Sequence, residues 1–215
     1  MKALPFSLGI AVGGLVLMNA DRAGAIYGKN DPQMVMVRHD VTPEMQKAAD
    51  ALERTPLPSI NEVDQEAHPV LSGDFKTGVP TVLVFVKNEC PCSIEAQPFY
   101  NAMAKAFGGD VQFMAVIDSD PRDAAAYAEF TVTPYRVLAD QDLSTIKALG
   151  AKASASAALI DGQGEVVKVW AGYSASVLRQ INFLAGTLAK SGPVEFDQSG
   201  APEKLTAGCT YEFPK

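Results

Sequence analysis

Two cysteines separated by a single proline lie where the chain changes from a strand pattern to a helix pattern. Cys90-Pro91-Cys92 follows the apolar run 81–86 and precedes Ser93 and a helical pattern. Thiols in the first turn of a helix face unpaired backbone N–H groups and the positive end of the helix dipole. Both favour the thiolate, which is the reactive form of cysteine. The pattern therefore predicts a redox site or a soft-metal site.

The third cysteine, Cys209, lies far along the chain in a segment with glycine and proline. A bond from Cys90 or Cys92 to Cys209 would close a long loop and stabilise the fold by about 4 kcal/mol in the chain-entropy model. A Cys90–Cys92 disulfide would instead close a small, strained ring and be comparatively oxidising. Cys209 is thus a member of a redox relay, part of a structural bond, or a lone thiol.

Composition sets limits on the partners of this chain. The 215 residues carry a net charge of −7, and 47% of them are hydrophobic. This is enough for one domain with a sizeable core. No stripe of lysine or arginine offsets the negative charge, which argues against a nucleic acid or an anionic membrane as partner. We expect a protein or small-molecule disulfide or thiol as partner and no bound cofactor.

The first 25 residues have the pattern of a secretory signal peptide. Lys2 supplies a positive start, residues 3–20 are apolar, and Ala23-Gly24-Ala25 offers small residues to a peptidase. Cleavage after Ala25 predicts a periplasmic or secreted protein with no membrane anchor. In such an oxidising compartment disulfides form and persist.

The rest of the chain alternates between strand and helix patterns. Apolar runs predict strands over 81–86, 111–117, 133–138, 156–160 and 165–171. Helical patterns cover 42–52, 93–107, 122–130 and 142–149, and a last helix carries Val177, Ile181, Leu184 and Leu188 on one face. Four prolines in 55–80 predict a loop with a short edge hairpin. Together they predict a three-layer α/β sandwich, a central mixed sheet with helices on both faces.

Four features in this order resemble the thioredoxin-like superfamily, close to its secreted redoxin and alkyl-hydroperoxide-reductase-like group. They are the strand that runs into Cys90, Pro98 in the following helix, the second strand within 109–120, and the closing hairpin within 149–172. The resemblance covers roughly 55–190. It implies an extension with a helix over 26–54 and a tail over 191–215 that carries Cys209.

The resemblance assigns roles to the cysteines. Cys90 matches the nucleophilic cysteine of the family, and Ser93 stands where thioredoxins have their second cysteine. Cys92 is an additional thiol inside the turn, and Ala207-Gly208-Cys209 resembles the ending in which some redoxin-like proteins carry a resolving cysteine. The Ser93 hydroxyl is expected near the Cys90 sulfur.

The chain also departs from the family pattern at several positions. The cis-proline of thioredoxins corresponds to about Ala155, and their buried acid corresponds to Val84. The proline and threonine of the peroxidase motif correspond to Leu83 and Lys87. These departures weaken a protein-disulfide or peroxidase function and leave metal binding open.

Three functions follow as hypotheses. The first is an exported thiol–disulfide oxidoreductase with Cys90 as nucleophile and Cys92 or Cys209 resolving, with thiol peroxidase activity as a weaker form. The second is a Cu(I)-binding or metallochaperone module that uses Cys90 and Cys92 and optionally Cys209 or a methionine. The third is a redox-inactive scaffold. The two histidines, His39 and His68, are expected on the surface.

Overall fold

The computed structural model describes residues 38–213, so the predicted signal segment 1–25 lies outside the described residues. Ten strands are present: β1 (His39–Asp40), β2 (Thr55–Pro56), β3 (Asn61–Asp64), β4 (Pro69–Leu71), β5 (Thr81–Val86), β6 (Gln112–Ile117), β7 (Arg136–Ala139), β8 (Ser156–Ile160), β9 (Glu165–Trp170) and β10 (Thr206–Ala207). Five helices accompany them: α1 (Pro43–Asp50), α2 (Pro91–Phe107), α3 (Pro121–Phe130), α4 (Ser144–Ala148) and α5 (Ala175–Ala189). A short 3₁₀ turn covers Ser72–Phe75.

Eight of these strands form one mixed sheet in the order β2-β9-β8-β5-β6-β7-β3-β4. Strands β5, β6 and β7 are parallel to one another, whereas β8 and β9 form an antiparallel hairpin beside β5. The predicted mixed sheet is confirmed, with β5 near its centre. Because β5 is central, the residues that follow it lie at the middle of the carboxyl edge of the sheet, where open α/β sheets place their sites.

Alternate side chains of β5 enter two separate cores. Val82, Val84 and Val86 belong to the core that includes α2, α3 and α5, whereas Leu83 and Phe85 belong to the core that includes α1 and α4. The sheet is therefore covered by helices on both faces, as predicted. Burial on both faces also explains why β5 is a continuous apolar run rather than an alternating one.

The elements differ from the sequence prediction mainly at their ends. Helix α2 begins at Pro91 rather than Ser93, because proline is well accommodated at the first position of a helix. Helix α4 covers only Ser144–Ala148, and β7 begins at Arg136. The predicted edge hairpin is present as β3 and β4, which form one end of the sheet.

The segment before α1 and the C-terminal tail pair with each other outside the main sheet. In this two-stranded ladder His39 lies opposite Ala207 and Asp40 lies opposite Thr206. Lys204 Nζ also donates to Asp40 Oδ1 at 2.7 Å. The tail is thereby held against the body of the protein just before Cys209. Within residues 38–213, no helix combines the length and the apolar character needed to cross a bilayer.

Candidate functional site: a cluster of three thiols

Cys90 occupies the position that immediately precedes α2. Its backbone is extended, and its carbonyl accepts hydrogen bonds from Ser93 N at 3.0 Å and Ile94 N at 3.3 Å. The turn from β5 is closed by the Ser93 hydroxyl, which accepts from Lys87 N at 3.1 Å. The predicted placement of Cys90 and Cys92 at the first turn of a helix is therefore observed.

A second contact fixes the turn from the side of β6. Asn88 N donates to Asp118 Oδ1 at 2.6 Å, and Asp118 directly follows β6. Burial raises the pKa of Asp118, and the hydrogen bond from Asn88 N and the charge of Lys87 oppose that rise. The turn that carries Cys90 is thus held both by its own helix and by the neighbouring parallel strand.

Cys209, although far from Cys90 and Cys92 in sequence, joins them at this turn, and all three are thiols. Cys90 Sγ lies 2.7 Å from Cys209 Sγ. Cys90 and Cys92 are each only 2% exposed, whereas Cys209 is half-buried. The one thiol in reach of solvent therefore lies directly against the buried thiol at the start of α2.

Hydrogen bonds within the cluster separate the acidities of the three thiols. The Cys92 thiol donates to the Cys90 sulfur and lowers the pKa of Cys90 to about 3, a shift that burial opposes and that Cys209 and Ser154 support. The same hydrogen bond, together with burial, raises the pKa of Cys92 far above its usual value. Burial raises the pKa of Cys209 to about 11, with a further contribution from Cys90. Cys90 is the thiolate of the cluster.

Residues 206–211, here called the strap, cross the site and bring Cys209 to Cys90. Gly208 N donates to Ser154 O, and Ser154 N donates to Cys209 O, each at 2.9 Å. Further along, Tyr211 N donates to Lys152 O at 3.1 Å. The strap therefore lies along the segment before β8 like an additional short strand.

The loop before β8 adds a hydroxyl to the site. Ser154 Oγ lies 3.3 Å from Cys90 Sγ, within hydrogen-bond distance of a sulfur. The next residue, Ala155, stands where thioredoxins have their cis-proline and adopts a left-handed backbone with φ +58°. Its N–H donates to Phe85 O at 2.9 Å, which ties the loop to β5. Ser154 thus supplies a hydroxyl to Cys90, and the Ser93 hydroxyl accepts a hydrogen bond from Lys87 N.

His39 belongs to the same region. Its imidazole and the thiols of Cys92 and Cys209 place one potential ligand atom each within 4.8 Å of one another. The imidazole is exposed, as expected, but it lies at the site because β1 pairs with β10 in the strap. The methionines near His39 in sequence are further potential soft ligands: Met45 is buried in the core, and Met34 and Met36 lie outside the described residues.

Sequence reasoning named the three cysteines but not Ser154 or His39 as parts of the site. Ser154 had one usable signal, since it directly precedes the position that matches the cis-proline. His39 had none, because its approach depends on the pairing of two short strands at opposite ends of the described chain.

Comparisons with known proteins agree with the fold. Solved structures that match include an uncharacterized conserved protein from Geobacillus kaustophilus, with 17% identity, a TM-score of 0.59, and coverage of 74% of this chain and 92% of that one. A putative thiol:disulfide interchange protein DsbE from Chlorobium tepidum matches with 21% identity, a TM-score of 0.57, and coverage of 64% and 97%. Peroxidoxin BcpB from Mycobacterium tuberculosis matches with 17% identity, a TM-score of 0.53, and coverage of 65% and 97%.

These structural matches establish the thioredoxin-like fold. No curated protein matches the chain in sequence. The family model described as Redoxin matches residues 52–179, which is more than half of the sequence. The chain belongs to the Redoxin family.

Proposed function

We propose that this protein is an exported thiol–disulfide oxidoreductase in which Cys90 is the nucleophile and Cys209 is the resolving cysteine. The observation that carries the proposal is the 2.7 Å separation of Cys90 Sγ and Cys209 Sγ. Two thiols already in contact can form a disulfide without rearrangement of the backbone that carries them. The predicted signal segment 1–25 supports action in the periplasm or outside the cell.

The reaction proceeds by two exchanges at sulfur. The Cys90 thiolate attacks one sulfur of a substrate disulfide, forms a mixed disulfide and releases the other half of the substrate as a thiolate. Cys209 then gives up its proton to solvent, and its thiolate attacks Cys90 Sγ, forms the Cys90–Cys209 bond and releases the second half as a thiolate, which takes up a proton from solvent. The substrate gains two electrons, and the two cysteines lose them. An external thiol restores the reduced protein.

Cys209 is better suited than Cys92 to be the resolving thiol. The pKa of both thiols is raised, but the hydrogen bond that Cys92 donates to Cys90 raises the pKa of Cys92 further than that of Cys209, so a smaller fraction of Cys92 is thiolate. Cys209 lies on the solvent side and contacts the sulfur that it would attack. The described contacts therefore support a role for Cys92 in stabilising the Cys90 thiolate and a role for Cys209 in closing the cycle.

Disulfide exchange fits the site better than peroxide reduction does. Lys87 stands at the position of the peroxidase threonine, and its ammonium group donates to Thr210 O at 2.8 Å. Leu83 stands at the position of the proline and is fully buried in the core. Two residues that shape a peroxide pocket are thus replaced. Lys87 stands in place of the threonine and binds the strap, and Leu83 stands in place of the proline and packs in the core. The substrate class that we propose is a protein or small-molecule disulfide.

The test is to determine which disulfides form under redox challenge. The mature protein is equilibrated with mixtures of reduced and oxidised glutathione, trapped with an alkylating agent and mapped by mass spectrometry without reduction. We expect a reversible Cys90–Cys209 bond in the native protein and in Cys92→Ser. In Cys209→Ser we expect a persistent mixed disulfide between Cys90 and glutathione. Three thiols under all conditions, or a Cys90–Cys92 bond alone, would overturn the proposal.

A further inference from the structure

Three potential ligands of a soft metal ion converge beside the exchange pair. They are the Cys92 and Cys209 thiols and the His39 imidazole, whose ligand atoms lie within 4.8 Å of one another. Metal–sulfur and metal–nitrogen bonds are about 2.0–2.3 Å long, so the ligand atoms of an ion held in a trigonal plane are about 3.5–4 Å apart. The separations in the cluster, at most 4.8 Å, are close to this range, so small side-chain movements bring the three atoms around a single ion.

Each ligand comes from a different and independently anchored element. Cys92 is in the first turn of α2, Cys209 is in the strap, and His39 is in β1. Residue 38 anchors β1 to α2, since the Arg38 guanidinium forms an ion pair with Glu95, one helical turn beyond Cys92. Because β1 also pairs with the strap, the three ligands are held together by contacts that do not use the ligand side chains.

We propose that His39, Cys92 and Cys209 form a three-coordinate site for monovalent copper. Two thiolates and one imidazole are soft and borderline donors that suit Cu(I), which is stable with three ligands. Zn²⁺ strongly prefers four ligands in a tetrahedron. Cys90 does not supply the fourth in this arrangement, because two sulfurs on one tetrahedral zinc lie about 3.8 Å apart, whereas Cys90 Sγ and Cys209 Sγ are 2.7 Å apart.

The three ligands differ in their exposure to solvent. Cys92 is buried, Cys209 is half-buried and His39 is exposed, so an ion reaches the imidazole first and the inner thiol last. Each thiol that binds the ion releases its proton. Because Cys209 serves both the metal site and the Cys90–Cys209 disulfide, copper binds only the reduced protein, and oxidation of this pair releases it.

The metal site and the exchange reaction share Cys209, but only the metal site uses His39 and only the exchange reaction uses Cys90 as nucleophile. The test uses this difference. Reduced mature protein is titrated anaerobically with Cu(I) in competition with a chromogenic chelator of known affinity. We expect one ion per chain, a loss of affinity of at least tenfold in His39→Ala, and native affinity in the matched control His68→Ala. His39→Met should restore Cu(I) binding, because a thioether is a good ligand for Cu(I) and a poor one for Zn²⁺.

Two further readouts complete the test. X-ray absorption should show two sulfurs and one nitrogen around the copper. Cys90→Ser should still bind copper but lose disulfide exchange. His39→Ala should retain exchange but lose copper affinity. The two readouts therefore allow either proposal to fail without the other. Affinity that is unchanged in His39→Ala, a shell of sulfur only, or tighter binding of Zn²⁺ than of Cu(I) would overturn the copper site.

Discussion

Two clusters of ionisable groups lie at the carboxyl edge of the parallel strands, and the pKa values of their buried members are shifted in opposite directions. The thiol cluster follows β5, and an acidic cluster of Glu62, Asp140 and Asp142 forms where β7 ends. Cys90 is 2% exposed and Asp140 is 0% exposed, so solvent access does not distinguish them. The pKa of Cys90 is lowered to about 3, whereas burial raises the pKa of Asp140 to about 7.

The difference comes from the partners of each group. Cys90 receives hydrogen bonds from Cys92, Cys209 and Ser154, which favour its charged form. Asp140 Oδ2 accepts from Ile146 N at 2.7 Å, but its other close neighbours include the carboxylates of Glu62 and Asp142, which favour its neutral form. Buried donors therefore make the first cluster reactive. The second cluster holds a proton between carboxyl groups and ties α4 to the sheet.

The largest expected effect separates the two clusters by activity. Cys90→Ser should lower the rate of disulfide exchange by about 1000-fold or more, because a serine hydroxyl is not ionised at neutral pH and forms no disulfide. Asp140→Asn should leave that rate within about twofold, since Asp140 touches none of the thiols in the contacts described. Both rates can be measured with a chromogenic disulfide. A comparable loss in the two variants would mean that the clusters are not functionally distinct.

The next effect concerns stability and pH. Asp140 titrates near 7 in the folded protein and near 3.9 in the unfolded chain, so between these values the folded state binds more protons. The contribution of this group to the free energy of unfolding therefore falls as pH rises from about 4 to 7, by up to about 4 kcal/mol. Asp140→Asn keeps an acceptor for Ile146 N and a donor for Asp142, and it should remove this decline.

Urea unfolding at several pH values checks this prediction. The native protein should lose stability relative to Asp140→Asn as pH rises through that window, with the two curves closest near pH 4. Parallel curves would show that Asp140 is ionised throughout, and the contrast with Cys90 would then be lost.

The sequence predicted one cluster better than the other. The apolar run of β5 and the helical pattern that follows it place Cys90 and Cys92 at a strand-to-helix turn through local patterns, and that placement was predicted. The contacts of Cys209 and His39 depend on backbone hydrogen bonds of the strap, which are independent of side-chain type and leave no periodic signal. The proton held by Asp140 depends on which carboxylates fold against it. Long-range placement, rather than residue type, is what the sequence left open.

The smallest expected effect tests whether the thiol cluster depends on the strap. A side chain at Gly208 would lie only 3.0 Å from Ser154 O and 3.1 Å from Ser154 C, and it would also meet Ser154 Oγ. The hydroxyl can rotate away, but the backbone cannot, so Gly208→Ala must displace the strap. Overpacking of this kind costs about 1–3 kcal/mol.

That displacement should expose Cys90 and weaken its bond to Cys209. Cys90 should react with iodoacetamide roughly 5- to 150-fold faster as the strap opens, and the Cys90–Cys209 bond should become less stable by a similar factor, since each 1.4 kcal/mol corresponds to tenfold. The matched control is Gly73→Ala, where an added carbon meets nothing within 4 Å. If Cys90 in the Gly208→Ala variant is alkylated at the native rate, iodoacetamide reaches it by a route that the strap does not cover. If the rate of Cys90 alkylation rises equally in Gly208→Ala and Gly73→Ala, the effect is a general loss of stability. An effect confined to Gly208 would make the strap the element that both shields Cys90 and supplies its partner, a dependence with no counterpart around Asp140.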